Sequence, residues 1–131
     1  MKHYEVVAAV IKNDENKIFC AQRGNYGELA LKWEFPGGKI ELGETNQEAL
    51  IREIKEELNT DIDVLDHIIT VNHQYQTFKL TMHAYYSNII QGNLQLSEHI
   101  NSKWLDKNEL DKLDWADADI PIVNKLRREE S

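Results

Sequence analysis

A change of hydrophobic period at residue 59 is the feature that most constrains the fold of this chain. From Thr45 to Leu58 apolar residues recur at helical spacing, and Thr45 followed by Glu48 has the pattern of a capping box. From 77 to 86 apolar and polar residues alternate, as in a strand with one buried face. A helix ending near Asn59 and followed by long antiparallel strands is therefore predicted.

The other predicted elements are shorter. Strands are predicted over residues 6–11, 18–21, 68–75 and 103–105, a short extended piece over 33–35 that Pro36-Gly37-Gly38 stops, and a final helix with Pro121 near its start. No internal repeat or low-complexity segment interrupts this order. The order of strands, helix, strands, helix predicts one α/β domain over 1–131, with helices packed on a mixed β-sheet.

The charge balance limits the partners. The chain carries 15 Lys and Arg against 23 Asp and Glu, a net charge of −8, which disfavours binding of a nucleic acid duplex. A small anionic substrate would need cations at its own site. We expect a cytoplasmic protein without a membrane partner, because the sequence has a single cysteine, Cys20, and shows neither a secretory leader nor a membrane-length apolar run.

Three glutamates share one face of the predicted helix. Glu53, Glu56 and Glu57 stand at i, i+3 and i+4 in its C-terminal half, where the helix dipole disfavours acids. One interpretation is a solvated acidic face. The other is a site for a hard divalent cation, which needs several oxygen ligands. Helix geometry alone leaves both open.

The residues flanking these glutamates carry a family resemblance. Gly38, Glu44 and the run Arg52-Glu53-Ile54-Lys55-Glu56-Glu57 stand at the intervals of the Nudix box, so the chain resembles the Nudix hydrolases. The run from Glu34 to Thr45 is similar to the MutT branch of that family. Asn59 replaces the usual glycine and Thr60 the usual aliphatic residue. Thr60 is expected to begin a strand in either case, and neither residue is a catalytic position.

The resemblance implies an α/β/α sandwich around a mixed sheet. It also implies hydrolysis of a nucleoside triphosphate to a monophosphate and pyrophosphate with Mg²⁺, Mn²⁺ being a substitute. Arg52 would orient Glu53, which would bind metal or act as the base, and Glu44 would be a second-sphere ligand or a turn residue. The implied metal ligands are Gly37 through its carbonyl, Glu53, Glu56, Glu57 and Glu98, and Glu98 could instead be the base.

The same resemblance suggests the nucleotide contacts. Arg23 and Lys39 match positions near the phosphates, and Phe35 and Phe78, with Trp33 as a further candidate, would wall the base pocket. Asp119 matches a position that reads the base edge, although it could also be a helix N-cap.

An ionised carboxylate at position 119 only accepts hydrogen bonds, which suits the cytosine amino group or the N1–H and amino edge of guanine. The segments around Glu5 and Asp119 are similar to those of CTP pyrophosphohydrolases. CTP or dCTP and oxidised nucleotides such as 8-oxo-dGTP are therefore the expected substrates.

Two other functions remain open at this point. One is hydrolysis of another nucleoside diphosphate derivative, such as a nucleotide sugar or a dinucleoside polyphosphate. The other is a non-catalytic nucleotide-binding module, which the intact glutamates of the box disfavour. We expect the chain to enter its first strand directly, which would leave little room for a dimerising N-terminal extension and would favour triphosphates. A monomer and a homodimer are both compatible with the sequence.

Overall fold

The computed structural model describes residues 1–129 and contains the predicted elements. In chain order they are β1 (Lys2–Ile11), β2 (Ile18–Gln22), β3 (Trp33–Glu34), β4 (Gly37–Lys39), α1 (Asn46–Leu58), β5 (Asp61–Gln74), β6 (Phe78–Gln91), β7 (Asn101–Leu105) and α2 (Ile120–Arg128). Two 3₁₀ segments, Lys107–Lys112 and Asp117–Asp119, precede α2 and were not predicted. No helix in residues 1–129 is long and apolar enough to cross a membrane.

The strands form two sheets. The larger has the order β4-β1-β6-β5, in which β1 runs parallel to β6 and the other neighbours are antiparallel. The smaller has the order β3-β2-β7 and is antiparallel throughout. The predicted mixed sheet is thus confirmed, and its single parallel pair joins the first strand to the long alternating one.

Two apolar clusters lie on opposite faces of the larger sheet. Leu50, Ile54 and Leu58 of α1 pack on one face, where odd-numbered residues of β1 such as Val7 point. The other face carries even-numbered residues of β1 and packs against α2 through residues such as Leu126. The predicted α/β/α arrangement is confirmed.

Helix α1 begins and ends as predicted. Thr45 Oγ1 accepts a hydrogen bond from the Glu48 amide at 3.1 Å, and Glu48 Oε1 accepts one from the Thr45 amide at 2.9 Å. Asn59 closes the helix in the left-handed conformation, with φ 49°. Thr60 is buried, and its hydroxyl donates to the Leu58 carbonyl and accepts from the Leu94 amide, so a polar residue is stable there.

Two features of local structure were not predicted. The extended piece that starts at Trp33 ends before Pro36, as expected, but residues 37 and 38 also begin a further strand, β4, which pairs with β1 through Ala8 opposite Gly37 and Val7 opposite Gly38. A Cβ at Gly37 would lie 1.9 Å from the Val7 carbonyl oxygen, so the pairing needs glycine. Strand β5 begins at Asp61, directly after Thr60 as expected, but bulges between 64 and 69, which were not predicted, interrupt its alternation.

Candidate active site

Arg52 on α1 organises the turn that precedes the helix. Its Nε and Nη2 donate to the two oxygens of Glu44 at 2.7 and 2.9 Å, and Nη2 also donates to the Lys39 carbonyl at 2.9 Å. The hydrogen bonds from Arg52, with one from the Glu41 amide, lower the pKa of Glu44 to about 2. Glu44 is therefore an ionised partner of Arg52, which joins the turn, the helix and β4.

Glu53 lies against strand β4. Arg52 Nη1 donates to Glu53 Oε1 at 2.9 Å, and the Glu53 side chain is 17% exposed. A Cβ at Gly38 would lie 2.3 Å from Glu53 Oε2, so glycine permits this approach. Burial raises the pKa of Glu53 although Arg52 opposes the shift. The structure thus brings together Gly38, Arg52 and Glu53.

The other two glutamates of the helix face differ from each other. Glu56 is exposed and touches Arg52 Nη1 at 3.3 Å, whereas Glu57 is largely buried. Burial raises the pKa of Glu57 to about 7, although the nearby His99 lowers it. Within residues 1–129, the buried Glu57 Oε2 has no hydrogen-bond partner. An orphaned acidic oxygen at this place fits a cation ligand.

The acids do not converge on one point in this structure. Among the described residues, no three His, Cys, Asp or Glu side chains are arranged to hold a metal ion. The donor set nevertheless fits a hard divalent cation, because it consists of carboxylates, one of them with a buried unpaired oxygen.

Glu34 of β3 links Arg23 and His99 beside Glu57. Its Oε1 accepts from Arg23 Nη1 at 3.1 Å, and its Oε2 is 2.8 Å from His99 Nε2. Burial lowers the pKa of His99, but the hydrogen bond to Glu34 and its charge outweigh burial and raise it. Glu98, the residue before His99, is exposed. These side chains line a small cavity of about 40 Å³, together with Gly24, Tyr26 and Glu57.

A larger cavity of about 270 Å³ opens on the other side of Glu34. It brings together the residues that the sequence analysis assigned to the nucleotide, Arg23, Phe35, Lys39, Phe78 and Asp119, and Gly37, which was assigned to the metal. Trp33 is not among its lining residues and lies in the core. Lys39 Nζ lies 4.1 Å from the centroid of the Tyr4 ring, which also lines the cavity.

Asp119 is a buried acid in the cavity wall. Its side-chain Oδ1 accepts a hydrogen bond from the Phe35 amide at 3.0 Å, and the residue is 5% exposed. Burial, with the negative charge of Glu34, raises its pKa well above the usual range for an aspartate. Asp119 occupies the N-cap position of α2 but makes no side-chain capping bond there.

Sequence reasoning missed other lining residues. Leu80 and Met82 share a face of β6 with Phe78, so the alternation already noted could have identified them. Glu34, Tyr4 and Tyr75 carry no such signal, because their role depends on contacts between distant segments. Tyr75, for example, accepts a hydrogen bond from the Ala118 amide at 2.8 Å.

Known proteins share this sequence and fold. The chain is 37% identical over 123 residues to the CTP pyrophosphohydrolase of Escherichia coli, covering 94% of this chain and 90% of that protein. It is 29% identical over 128 residues to the 8-oxo-dGTP diphosphatase of the same organism, covering 98% and 99%. A solution structure of a MutT protein from Staphylococcus aureus superposes with a TM-score of 0.79 at 48% identity, covering 99% of this chain and 100% of the other.

The NUDIX domain family matches residues 7–125, which include the acidic helix and most of the residues that line the cavity. Members of this family generally use divalent metal ions. The family match extends over most of the chain, and the relative named for CTP is 37% identical over 94% of this chain. This chain therefore belongs to the Nudix family of hydrolases.

Proposed function

We propose that this protein hydrolyses a nucleoside triphosphate to a nucleoside monophosphate and pyrophosphate, with Mg²⁺ as the ion and Mn²⁺ as a substitute. One observation carries the proposal. The cavity that contains Phe35 and Asp119 reaches Gly37 and Gly38, and Gly38 is the residue against which Glu53 packs. A base in the cavity would therefore have its polyphosphate beside the acidic helix.

The oxygen ligands for the ion would come from α1 and from its neighbours β4 and the loop before β7. Glu56, Glu57 and Glu53, with the Gly37 carbonyl and Glu98, would hold the ion, which when bound offsets the charge of the phosphate oxygens.

Arg52 holds Glu53 in one orientation, and either Glu53 or Glu98 takes the proton from the attacking water. The water oxygen bonds to the α- or β-phosphorus as the bond from that phosphorus to the bridging oxygen breaks, which releases the monophosphate and pyrophosphate.

Asp119 is the basis for a proposal about the base. Its ionised carboxylate accepts hydrogen bonds only, which suits the amino group of cytosine. Its raised pKa also favours the protonated form, which can donate to a carbonyl edge such as that of an oxidised guanine. Relatives named for CTP and for 8-oxo-dGTP are consistent with both. The relative named for CTP has the higher identity of the two, 37% against 29%, so we rank cytosine nucleotides first and 8-oxo-dGTP second.

A turnover screen tests the proposal. The eight common ribo- and deoxynucleoside triphosphates, 8-oxo-dGTP and a 5-substituted dCTP are incubated with Mg²⁺ or with excess chelator, and pyrophosphate and monophosphate are measured separately. We expect release of both products from at least one triphosphate, and only with the metal. Comparable rates in chelator, or faster turnover of a nucleotide sugar or dinucleoside polyphosphate, would contradict the proposal.

A further inference from the structure

A loop histidine is unusually well buried beside the candidate site. His99 belongs to the connection between β6 and β7, yet its side chain is only 6% exposed. Its Nε2 makes a 2.8 Å hydrogen bond to Glu34 Oε2. The preceding residue, Glu98, is exposed and lines the small cavity that also contains Glu57. Glu98 is therefore directly followed in the chain by a residue whose side chain is held in place by a hydrogen bond.

The loop is held from two sides. On one side, Ser97 Oγ donates to the Glu57 carbonyl at 2.7 Å, at the C-terminal end of α1. On the other, the Ile100 amide donates to the Gln22 carbonyl at 3.0 Å, and His99 bonds to Glu34. Glu98 lies between these two attachments. The side-chain contact of His99 is therefore the attachment nearest to it on the sheet side.

Glu34 connects that attachment to the nucleotide cavity. Both of its oxygens are engaged, one with His99 and one with Arg23 at 3.1 Å. Glu34 and Arg23 line both the large cavity and the small one. The Glu34 carboxylate thus holds Arg23 at the cavity wall and, through His99, also holds the loop that bears Glu98.

We propose that His99 is a positioning residue: through its hydrogen bond to Glu34 it holds the loop so that Glu98 faces Glu57 across the small cavity. The inference deepens the proposed function and rests on it, because Glu98 matters only if polyphosphate is bound there. His99 itself does not touch the reacting atoms. Removing its hydrogen bond should therefore slow the chemical step more than it weakens nucleotide binding.

The test compares two amide replacements of His99. In His99→Gln the side-chain nitrogen reaches nearly as far as Nε2 of histidine and can donate to Glu34, whereas the shorter side chain of His99→Asn cannot reach it. For the best triphosphate of the screen, we expect kcat of His99→Asn to fall at least about tenfold with KM within about threefold, and His99→Gln to retain kcat within about threefold.

His67→Asn is the matched control. His67 lies on an exposed part of β5, where its Nε2 bonds to Thr70 Oγ1 at 2.9 Å, far in sequence from the small cavity. We expect its kcat and KM to equal those of the unaltered protein.

A second measurement needs no substrate. Amide hydrogen exchange of residues 95–100 in the metal-free protein should be faster in His99→Asn than in the unaltered protein, and unchanged in His99→Gln. Equal kcat for the two variants, a loss confined to KM, or equal exchange in all three proteins would overturn the positioning role. Absence of turnover in the unaltered protein would instead contradict the proposed function, while the exchange data would still report whether His99 holds the loop.

Discussion

Two adjacent glycines meet different neighbours, which separates their effects. A Cβ at Gly38 would lie 2.3 Å from Glu53 Oε2, whereas one at Gly37 would lie 1.9 Å from the Val7 carbonyl oxygen. Gly38→Ala should displace a side chain, and we expect kcat to fall at least about tenfold with stability within about 1 kcal/mol. Turnover and urea unfolding measure the two quantities.

Gly37→Ala is the comparison for that experiment. It places a methyl group against backbone, which cannot move without separating β4 from β1. We expect it to lower the free energy of unfolding by about 1–3 kcal/mol, the usual cost of overpacking, in addition to any loss of activity. If Gly38→Ala were the more destabilising of the two, the assignment of neighbours would be wrong.

Asp119 gives a pH prediction. Its pKa is raised in the folded protein, so from about pH 4 upward the folded state keeps a proton that the unfolded chain has lost, and stability falls with rising pH until the raised pKa is passed. Asp119→Asn keeps an acceptor for the Phe35 amide but removes the ionisation. Relative to the unaltered protein, we expect this variant to gain stability between pH 4 and 8, as measured by urea midpoints.

The exposed neighbour Asp117 supplies the control. Its side chain is 64% exposed, so Asp117→Asn should leave the slope of stability against pH unchanged. Parallel pH curves for Asp119→Asn and the unaltered protein would contradict the prediction. A change in nucleotide preference in the same variant would further test the role proposed for Asp119 in base recognition.

Helix α1 was predictable because its signals are local. The capping residues, the buried stripe and the left-handed end all lie between Thr45 and Asn59, and each is present. Strand β4 was not predictable, because two glycines normally indicate a turn and only the position of β1 makes them a strand. The bulges within β5 were not predictable for a related reason, since they interrupt the two-residue period and depend on how β5 pairs with β6.

A loop-to-hairpin contact gives a prediction for the elements around the cavity. Glu28, between β2 and β3, accepts a hydrogen bond from the Gln76 amide at 2.7 Å and one from Thr77 Oγ1 at 2.7 Å, at the turn between β5 and β6. The bond from Thr77 is the main cause of its lowered pKa. Since Leu29 next to it lines the cavity, the contact holds one wall of the nucleotide site.

Glu28→Ala should release that wall. We expect KM for the preferred triphosphate to rise about three- to tenfold with kcat within about twofold, because the acidic helix is untouched. Glu15→Ala, in the exposed turn after β1, is the control for removal of one surface acid. An unchanged KM, or a fall in kcat alone, would show that the contact does not shape the nucleotide site.

The larger sheet separates two kinds of chemistry. The acids of α1 lie on one face, the cavity opens on the other, and β4 at the edge touches both. The sequence predicted the acidic face because its residues fall in one short motif. It did not predict the contact between Glu34 and His99, because 65 positions separate them and only the pairing of β2 with β3 and β7 brings β3 close to the loop that precedes β7.

The two arginines of the site are already paired with acids, and this predicts strict dependence on added metal. Arg52 is held by Glu44 and Glu53, Arg23 by Glu34, and the whole chain carries a net charge of −8. Apart from Lys39, a triphosphate would therefore meet little free positive charge at the site, and a divalent cation is needed to offset both the phosphates and the carboxylates.

A thermal shift experiment with a non-hydrolysable triphosphate of the preferred base measures this coupling. At about 100 times its dissociation constant, bound ligand adds about 2.7 kcal/mol, which for a domain of this size raises Tm by about 10 °C. We expect that shift with Mg²⁺ and less than about 3 °C with chelator. Mg²⁺ without nucleotide should also give a small shift, because the phosphates are missing. Nucleotide and Mg²⁺ with Glu57→Gln should do the same, because one carboxylate ligand of the cation is missing. Equal shifts with and without Mg²⁺ would show that the chain's own cations suffice.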